Sequence, residues 1–440
     1  MSSTLEPMQW LDGLFVRAFE MSTSDIFLDV HEGNTGVTKV EAQLRIDNEL
    51  IDMEPIEGPR AYEVSNVIRQ TAGIGTGALI EPGEGRYPYI RRFLAPDNRQ
   101  ATERLDIRVT MYPDEIGQFI SMRIPPIGAL RPLEELGFSQ YNYNRLMRLL
   151  AKPGGLTLLA GPMGSGKTTT LYSAVMKMGG RRKSVITVED PKERTLPGAR
   201  QIEINNGTED GSGMTYANVL KSLLRVVMDV LLIGEVRDHE TAEAAIRIAT
   251  AGARVFSSIH ADDPVSAIAR TISYAEASAI NVMSGISGVA SQRMIRKLCT
   301  TCYGDGCANC SGIGFRGKTP VHEVLINTPA ITEAFILKTR LSEISGLARY
   351  EGMKSFHEDA DRLLQAGVTT EKEIESTIGF DMRNRTAGNF APPAPKPQKS
   401  QAQLVQQQSQ TPQAQVLPQQ IRPRQNSASV AQPQNPERPP

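Results

Sequence analysis

Between Gly161 and Thr170, this 440-residue chain has the residue types and the spacing that can bind a row of phosphates. Gly161 is followed, after four residues, by Gly166, Lys167 and Thr168, which is the complete P-loop pattern. An apolar run at 155–160 precedes the loop and predicts a buried strand, and the residues that follow it favour a helix. Strand, loop and helix therefore stand in the order that a P-loop requires.

Each residue type in this loop has a chemical reason. The glycines let backbone N–H groups turn inwards around an anion, and the positive end of the following helix points at the same oxygens. Lys167 supplies a compact charge to the β- and γ-phosphates, and the Thr168 hydroxyl is a ligand for Mg²⁺. We expect ATP and Mg²⁺ to be held by Gly161, Pro162, Met163, Gly164, Ser165, Gly166, Lys167, Thr168 and Thr169.

Three further polar residues follow strand-like runs and are candidates for the catalytic chemistry. Glu235 ends a run with the pattern of a Walker B strand, where a carboxylate can orient and polarise the attacking water. Glu189 ends another run and can reach the shell of water around Mg²⁺. His260 ends a third and can contact the γ-phosphate or a relayed water. Open α/β sheets bind ligands at the carboxyl ends of their strands, so we expect all three near the P-loop.

All four cysteines of the chain lie within twelve residues, as two Cys-x2-Cys pairs. Four thiolates at this spacing close a tetrahedral zinc site. A reducing compartment favours metal over disulfides, and an iron–sulfur cluster and four inert thiols are the alternatives. We predict a structural Zn²⁺ in an element at 296–317, bound by Cys299, Cys302, Cys307 and Cys310.

The elements that must position these residues divide the chain into four regions. Residues 1–125 mix helical spacing with alternating strands and predict a small α/β domain, with a hairpin around 113–117. Residues 126–137 predict a linker. Residues 138–380 alternate strands with helices, which is typical of a parallel sheet with both faces covered. Residues 381–440 are rich in Pro and Gln and predict a disordered tail, because they offer little apolar surface to bury.

Composition restricts the classes of function. Lys and Arg number 48 against 49 Asp and Glu, so the net charge is −1, and only 5% of the residues are aromatic. Both figures disfavour a nucleic-acid partner, which calls for a basic surface or for rings that stack on bases. The start of the chain has no signal-peptide pattern, and no apolar run is long enough for a membrane span. We expect a cytoplasmic protein that reaches the inner membrane through partners.

Four stretches together resemble the secretion ATPase superfamily, the family of type II secretion and type IV pilus motors. Its Walker A, Asp box, Walker B and His box match 161–170, 186–191, 233–238 and 257–262, in the family's order and spacing. The resemblance implies a RecA-like C-terminal ATPase domain and a PAS-like N-terminal domain. It also implies a homo-hexameric ring that closes ATP between the two domains and works against an inner-membrane platform protein. The family's phosphate-binding arginines match Arg108, Arg123 and Arg225.

The predicted fold class is therefore α/β: a RecA-like P-loop ATPase domain, a smaller PAS-like domain, a four-cysteine zinc element and a disordered tail. The predicted function is to power assembly of a type IV pilus, including a conjugative thin pilus, or type II-like secretion. In this family the four-cysteine element accompanies assembly motors. The short region before the N-terminal domain favours a retraction motor, which is the first alternative.

Two alternatives come from other classes of protein. A nucleotide-binding adaptor that does not hydrolyse ATP is suggested by Val227, which stands where the family has one of two Walker B acids. Lys221 and Ala253 also depart from the family's pattern, at an arginine and at a histidine. A nucleic-acid translocase built on the same ring is disfavoured by the near-neutral charge.

Overall fold

A computed structural model describes residues 7–32, 38–57, 61–75, 82–94, 99–114, 117–179, 183–204 and 214–379. All of them belong to the first of two units, residues 1–389. The tail predicted to be disordered, residues 381–440, lies outside the described residues. Within the described ranges, no helix is both long enough and apolar enough to cross a membrane.

The N-terminal region is built on one antiparallel sheet. Its strands run in the order β3-β2-β1-β7-β6-β5, and β4 pairs with β2 at the edge. The predicted hairpin around 113–117 is confirmed, because β6 and β7 pair in antiparallel register. The elements are α1 (Pro7–Glu20), β1 (Asp25–Glu32), β2 (Thr38–Ile46), β3 (Glu49–Asp52), β4 (Ile56–Glu57), α2 (Ala61–Thr71), β5 (Gly83–Leu94), β6 (Gln100–Pro113) and β7 (Gly117–Arg123).

Alternation along these strands decides which face of the sheet is buried. Leu105, Ile107 and Val109 of β6 share one core with apolar side chains of α1 and α2. The residues between them, which include Arg108, are exposed. Successive side chains of a strand point to opposite faces, so the helices cover one face and the arginines occupy the other.

The C-terminal region is built on a seven-stranded sheet of order β10-β9-β11-β12-β8-β13-β14. Its strands are parallel except for β14, which pairs antiparallel with β13. The elements are α3 (Gln140–Ala151), β8 (Gly155–Ala160), α4 (Lys167–Gly179), β9 (Val185–Glu189), β10 (Arg200–Glu203), α5 (Tyr216–Leu223), β11 (Val230–Glu235), α6 (His239–Thr250), β12 (Arg254–Ile259), α7 (Pro264–Ala275), α8 (Ala279–Gly285), β13 (Ile286–Leu298), β14 (Phe315–Ile326), α9 (Pro329–Ile336), α10 (Leu341–Tyr350), α11 (Phe356–Gln365) and α12 (Glu371–Ile378).

Both faces of this sheet are covered, as the continuous apolar strands predict. In β11, Leu231 and Ile233 belong to one core, together with α5 and α6. Val230 and Leu232 belong to the other core, together with α3 and α4. The parallel strands β8, β9, β11 and β12 therefore lie between two layers of helices, and their carboxyl ends meet at one edge.

The segment predicted to be a linker, residues 126–137, is partly packed against this domain. It contains a short 3₁₀ helix, Leu133–Glu135. Leu133 and Leu136 are buried in the same core as α3 and α4, and Glu134 pairs with Lys177 of α4. The two leucines gain enough apolar burial to hold the second half of the segment on the ATPase domain.

Ion pairs and hydrogen bonds between described residues join the N-terminal region to the C-terminal sheet, among other contacts, around β10 and around the β13–β14 pair. At one, Arg86 of β5 pairs with Glu203 of β10. At the other, the turn between β2 and β3 lies against the β13–β14 pair: Lys318 Nζ donates to Asn48 Oδ1 at 2.7 Å, and Arg296 pairs with Glu49 at 2.7 Å. The first contact brings the arginine-bearing face of the N-terminal sheet towards β9 and β10.

Candidate nucleotide site

The loop between β8 and α4 has a backbone that suits phosphate binding. Gly161 and Gly166 have φ angles of 152° and 82°, which disfavour a side chain. A Cβ on Gly161 would lie 2.5 Å from the carbonyl oxygen of Gln292, and one on Gly166 would lie 2.8 Å from the Nε2 atom of that residue. Both positions therefore need glycine. The amino-terminal N–H groups of α4 point at the space that the loop encloses.

Lys167, at the start of α4, is folded over this loop. Its Nζ atom donates to the carbonyl oxygens of Gly161 at 2.8 Å and Pro162 at 2.9 Å. The side chain is buried, and burial lowers the pKa of Lys167, while the charge of Glu235 opposes that shift. The ammonium group is therefore desolvated beside a carboxylate, where its attraction to further anionic oxygens is strong.

The remaining P-loop residues divide into exposed and buried positions. Pro162, Met163 and Gly164 form the exposed tip. Ser165 is buried, and its hydroxyl donates to the Pro162 carbonyl at 2.9 Å, which closes the turn. Thr169 lies in the first turn of α4. The loop is thus held by its own hydrogen bonds, and Gln292 of β13 lies against it at Gly161 and Gly166.

Glu193 contacts the P-loop helix and is a residue that motif reasoning did not single out. The Thr168 hydroxyl donates to Glu193 Oε1 at 3.2 Å. Glu193 is exposed, yet the surrounding protein partly desolvates its carboxylate and raises its pKa, opposed by the hydrogen bond from Thr168 and by the charge of Arg108. Its only signal in the sequence is its place as the third carboxylate at the end of β9, after Glu189 and Asp190. Together the hydroxyl and the carboxylate offer oxygen ligands of the kind that Mg²⁺ prefers.

Glu189 lies at the predicted strand end, and its carboxylate is directed into the protein. It is 4% exposed. The Thr187 hydroxyl donates to it at 2.6 Å, the Gln201 side-chain amide at 3.2 Å, and the Tyr172 hydroxyl donates to its other oxygen. The charge is thus balanced by three protein donors, and Glu193 is the carboxylate of this cluster that contacts Thr168.

Glu235 and His260 come together in front of the P-loop, as the sequence predicts from their strand ends. Strands β11 and β12 are neighbours, and their register shifts between Ile233 and Glu235. His260 Nε2 lies 3.1 Å from Glu235 Oε1. Both side chains are partly exposed, and Glu235 is near enough to Lys167 to affect its pKa. An imidazole, a carboxylate and an ammonium group therefore lie near one another at the carboxyl edge of the sheet.

Arg108 and Arg123 face each other on the exposed side of the N-terminal sheet. They are direct partners in the β6–β7 register, and Arg86 is the partner of Arg108 on the other side. Arg123 Nε donates to Asp25 Oδ1 at 2.9 Å. Because the charge of Arg108 opposes the rise in the pKa of Glu193, this row of arginines reaches towards the P-loop helix of the same chain.

Arg225 is not brought to the P-loop within one chain. It lies exposed in the turn after α5, before the amino end of β11. Nearby, the Asp229 carboxylate accepts from the backbone N–H of Ser184, just before β9. Since the P-loop follows the carboxyl end of β8, Arg225 lies at the opposite edge of the sheet.

The four cysteines form one cluster between β13 and β14. Their Sγ atoms all lie within 4.8 Å of one another, and the separations are 3.8 Å for Cys299–Cys307, 3.7 Å for Cys302–Cys310 and 3.8 Å for Cys307–Cys310. Zn–S bonds of about 2.3 Å in a tetrahedron give sulfur separations of about 3.8 Å. Backbone N–H groups lower the pKa of Cys299 to about 6. The donor set fits a zinc ion.

Comparisons with known proteins agree with these motifs. The family model described as "Type II/IV secretion system protein" matches residues 6–376. The type II secretion system protein HxcR of Pseudomonas aeruginosa is 32% identical over 83% of this chain and 76% of its own length. The type IV pilus assembly ATPase PilB of Thermus thermophilus is 29% identical over 81% of this chain, which spans 41% of that relative.

Solved structures share the fold. The ATPase DotB of Yersinia pseudotuberculosis has a TM-score of 0.65 at 20% identity, covering 86% of this chain and 95% of that one. The pilus retraction motor PilT has a TM-score of 0.55 at 22% identity, covering 82% and 95%. Because the family model spans most of the sequence and the P-loop is intact, the chain belongs to the type II/IV secretion system protein family, the secretion ATPase superfamily, and is an ATP-hydrolysing enzyme.

Proposed function

We propose that this enzyme is a motor that binds Mg²⁺–ATP at the P-loop and uses hydrolysis to power assembly of a type IV pilus, such as a conjugative thin pilus, or type II-like secretion. The observation that carries the proposal is the group formed by Lys167, Glu235 and His260 at one edge of the sheet. It combines an anion-binding loop with a carboxylate that can orient water. The names of the relatives HxcR and PilB support the secretion and pilus roles.

Each residue of the site has a proposed task. The P-loop N–H groups and Lys167 bind the β- and γ-phosphates. The Thr168 hydroxyl and the Glu193 carboxylate suit Mg²⁺, which neutralises phosphate charge when bound. Glu235 orients the attacking water, and His260 holds that carboxylate and contacts the terminal phosphate or a relayed water. Glu189 supports the strand end from within, through its bonds to Tyr172 and Thr187.

We further propose that the enzyme acts as a homo-hexameric ring of RecA-like domains, with the N-terminal region as its PAS-like domain. The position of Arg225 supports a ring, because at the far edge of the sheet it can reach only the nucleotide of another subunit. Arg108 and Arg123 would close over ATP as the two domains approach. The ring would turn against an inner-membrane platform protein, from the cytoplasmic side, with no direct nucleic-acid partner.

The four-cysteine cluster favours an assembly role over retraction, because in the family that the sequence resembles this element accompanies assembly motors. The cluster has four possible ligands in tetrahedral spacing, so a zinc ion there would be structural rather than catalytic. It is held between two long strands, and β13 also packs beside the P-loop strand. The element would therefore brace a surface that moves with the ATPase domain. Retraction is the second candidate, supported by the fold shared with PilT.

The purified, reduced protein is expected to contain one zinc ion per chain, measured by elemental analysis. Cys299→Ser and Cys302→Ser should each lose the metal and lower the midpoint of thermal unfolding, because a structural zinc contributes to the stability of the fold. Thr301→Ser, between the two ligands, is the matched control and should keep both metal and midpoint. Protein without zinc, or with iron and a visible absorption band, would contradict the assignment.

In the host cell, deleting the gene is expected to abolish surface pili or secretion, scored by electron microscopy and by assay of the secreted fraction. The wild-type gene should restore the phenotype, and Lys167→Ala should not, because the P-loop would lose its phosphate-binding charge. Lys177→Ala, on the surface of the same helix, is the control and should restore it. More or longer pili in the deletion strain would instead identify a retraction motor.

A further inference from the structure

One buried carboxamide lies directly against the P-loop and belongs to none of the motifs identified in the sequence. In the parallel pair of β13 and β8, Ser291 is opposite Ala160. The next residue, Gln292, therefore lies beside Gly161, where the loop begins. Gln292 is 2% exposed, so its polar atoms must find their partners inside the protein.

The two ends of this carboxamide bind two parts of the P-loop and its helix. Gln292 Nε2 donates to the backbone carbonyl of Ser165 at 2.5 Å. Gln292 Oε1 accepts from the Thr170 hydroxyl at 2.8 Å. A carbonyl oxygen can only accept a hydrogen bond, so the nitrogen must face Ser165. The chemistry of its partners therefore fixes the orientation of the amide.

This bond also fixes the direction of a backbone N–H group. The peptide between Ser165 and Gly166 is trans and planar, so its C=O and N–H groups point in opposite directions. Because Gln292 holds the carbonyl on the β13 side, the N–H of Gly166 points away from β13 and into the loop. That is the direction in which P-loop N–H groups meet a phosphate.

A buried histidine supports the carboxamide from the next strand. His322 is the direct partner of Gln292 in the β13–β14 register, and its Nε2 lies 3.1 Å from Gln292 Oε1. Burial and the charge of Arg362 hold the pKa of His322 well below its usual range, which favours the neutral ring. Its Nε2 must carry the proton, because the amide oxygen of Gln292 can only accept a hydrogen bond. The ring also stacks on Phe138 at 3.6 Å. A hydrogen bond and a ring stack therefore both fix the position of the imidazole.

We propose that Gln292 is a positioning residue for nucleotide binding, which aims the Gly166 N–H at the phosphates by holding the Ser165 carbonyl, with His322 fixing the other end of the amide. The proposal rests on ATP binding at the P-loop. Gln292 itself touches no reacting atom. Its effect is transmitted through one peptide group, and it links the P-loop to the β13–β14 pair that carries the cysteine cluster.

Gln292→Met in the full chain keeps the length of the side chain and removes its hydrogen bonds. Affinity for Mg²⁺–ADP, measured by calorimetry, should fall about ten- to a hundredfold, which is the loss expected for one hydrogen bond to a charged group. The rise in unfolding midpoint on adding Mg²⁺–ADP should shrink accordingly. A purely structural role would lower the midpoint without nucleotide and leave the affinity unchanged, which would overturn the proposal.

Two further variants complete the test. Ser291→Ala is the control, because this neighbouring buried hydroxyl has no hydrogen-bond partner among the described residues; it should bind Mg²⁺–ADP normally. Thr170→Val removes the hydrogen bond to Gln292 Oε1 and should weaken Mg²⁺–ADP binding less than Gln292→Met does. If Gln292→Met does not fold, the affinity of Thr170→Val is the test of the proposal. If wild type binds Mg²⁺–ADP and both variants bind it equally well, only this proposal is overturned. If wild type fails to bind, the proposed function is overturned with it.

Discussion

Glu235→Gln is expected to lower kcat for ATP hydrolysis about 10²–10⁴-fold, the range for losing a positioned general base. Glutamine has the shape of glutamate, so the strand end and the packing should not change. It lacks the charge that polarises water and that faces His260 at 3.1 Å. Removing a negative charge near Lys167 should leave Mg²⁺–ATP binding intact or slightly tighter.

Steady-state phosphate release and nucleotide affinity should be measured on the same preparation, because only their combination distinguishes a catalytic from a binding defect. Glu243→Gln is the matched control: it makes the same change on the exposed surface of α6, where Glu243 forms weak ion pairs with His239 and Arg247. The control should hydrolyse ATP like wild type. Wild-type turnover in Glu235→Gln would show that another group activates the water.

The parts of this site that the sequence predicts well are those encoded locally. The P-loop is one contiguous stretch, and its glycines, Lys167 and Thr168 can be assigned from spacing alone. Glu235 and His260 are predictable as partners because each ends a strand-like run, and parallel strands end at one edge. The structure brings these two together at hydrogen-bond distance.

The parts that the sequence does not predict depend on contacts between distant segments. Gln292 lies beside Gly161 only because β13 pairs with β8, and nothing in the local pattern indicates that pairing. Glu189 and Glu193 look equivalent as carboxylates near a strand end. In the structure Glu189, the last residue of β9, faces inwards and accepts from Tyr172, whereas Glu193 lies beyond the strand and accepts from Thr168. Strand direction and side-chain burial, rather than residue type, separate their roles.

In the segment 126–137, local composition predicts a linker, but part of the segment is packed on the ATPase domain. The residues around its start, Pro125-Pro126-Ile127-Gly128, favour an extended linker. Leu133 and Leu136, however, are spaced to bury on one side of a helical turn. Their burial against α4 decides the structure of the second half. Local propensity is weak compared with that amount of apolar contact.

Replacing both Arg108 and Arg123 with alanine is expected to lower ATP turnover about 10³–10⁵-fold, the range for losing an arginine that stabilises a phosphoryl-transfer transition state. Arg86, Arg108 and Arg123 stand side by side across three strands. Like charges directly opposite one another destabilise a sheet, so this row has a cost that a bound anion would offset.

In the structure, each of these three arginines has a carboxylate as its partner. Arg86 pairs with Glu203 and Arg123 with Asp25, and Arg108 interacts with the charge of Glu193. A phosphate entering between the domains can replace these partners, since a guanidinium group binds carboxylate and phosphate with the same fork of donors. The domains would then close on the nucleotide.

The double variant should still fold, with an unfolding temperature at or slightly below that of wild type: it removes two neighbouring like charges, but it leaves the largely buried Asp25 without the guanidinium group of Arg123. Phosphate release measures the effect on turnover, and thermal unfolding checks the fold. Arg92→Ala is the control, an exposed arginine on the same face of β5, six residues from Arg86; it should hydrolyse ATP normally. Normal turnover in the double variant would mean that the arginine row does not act on the nucleotide, and that domain closure has another purpose.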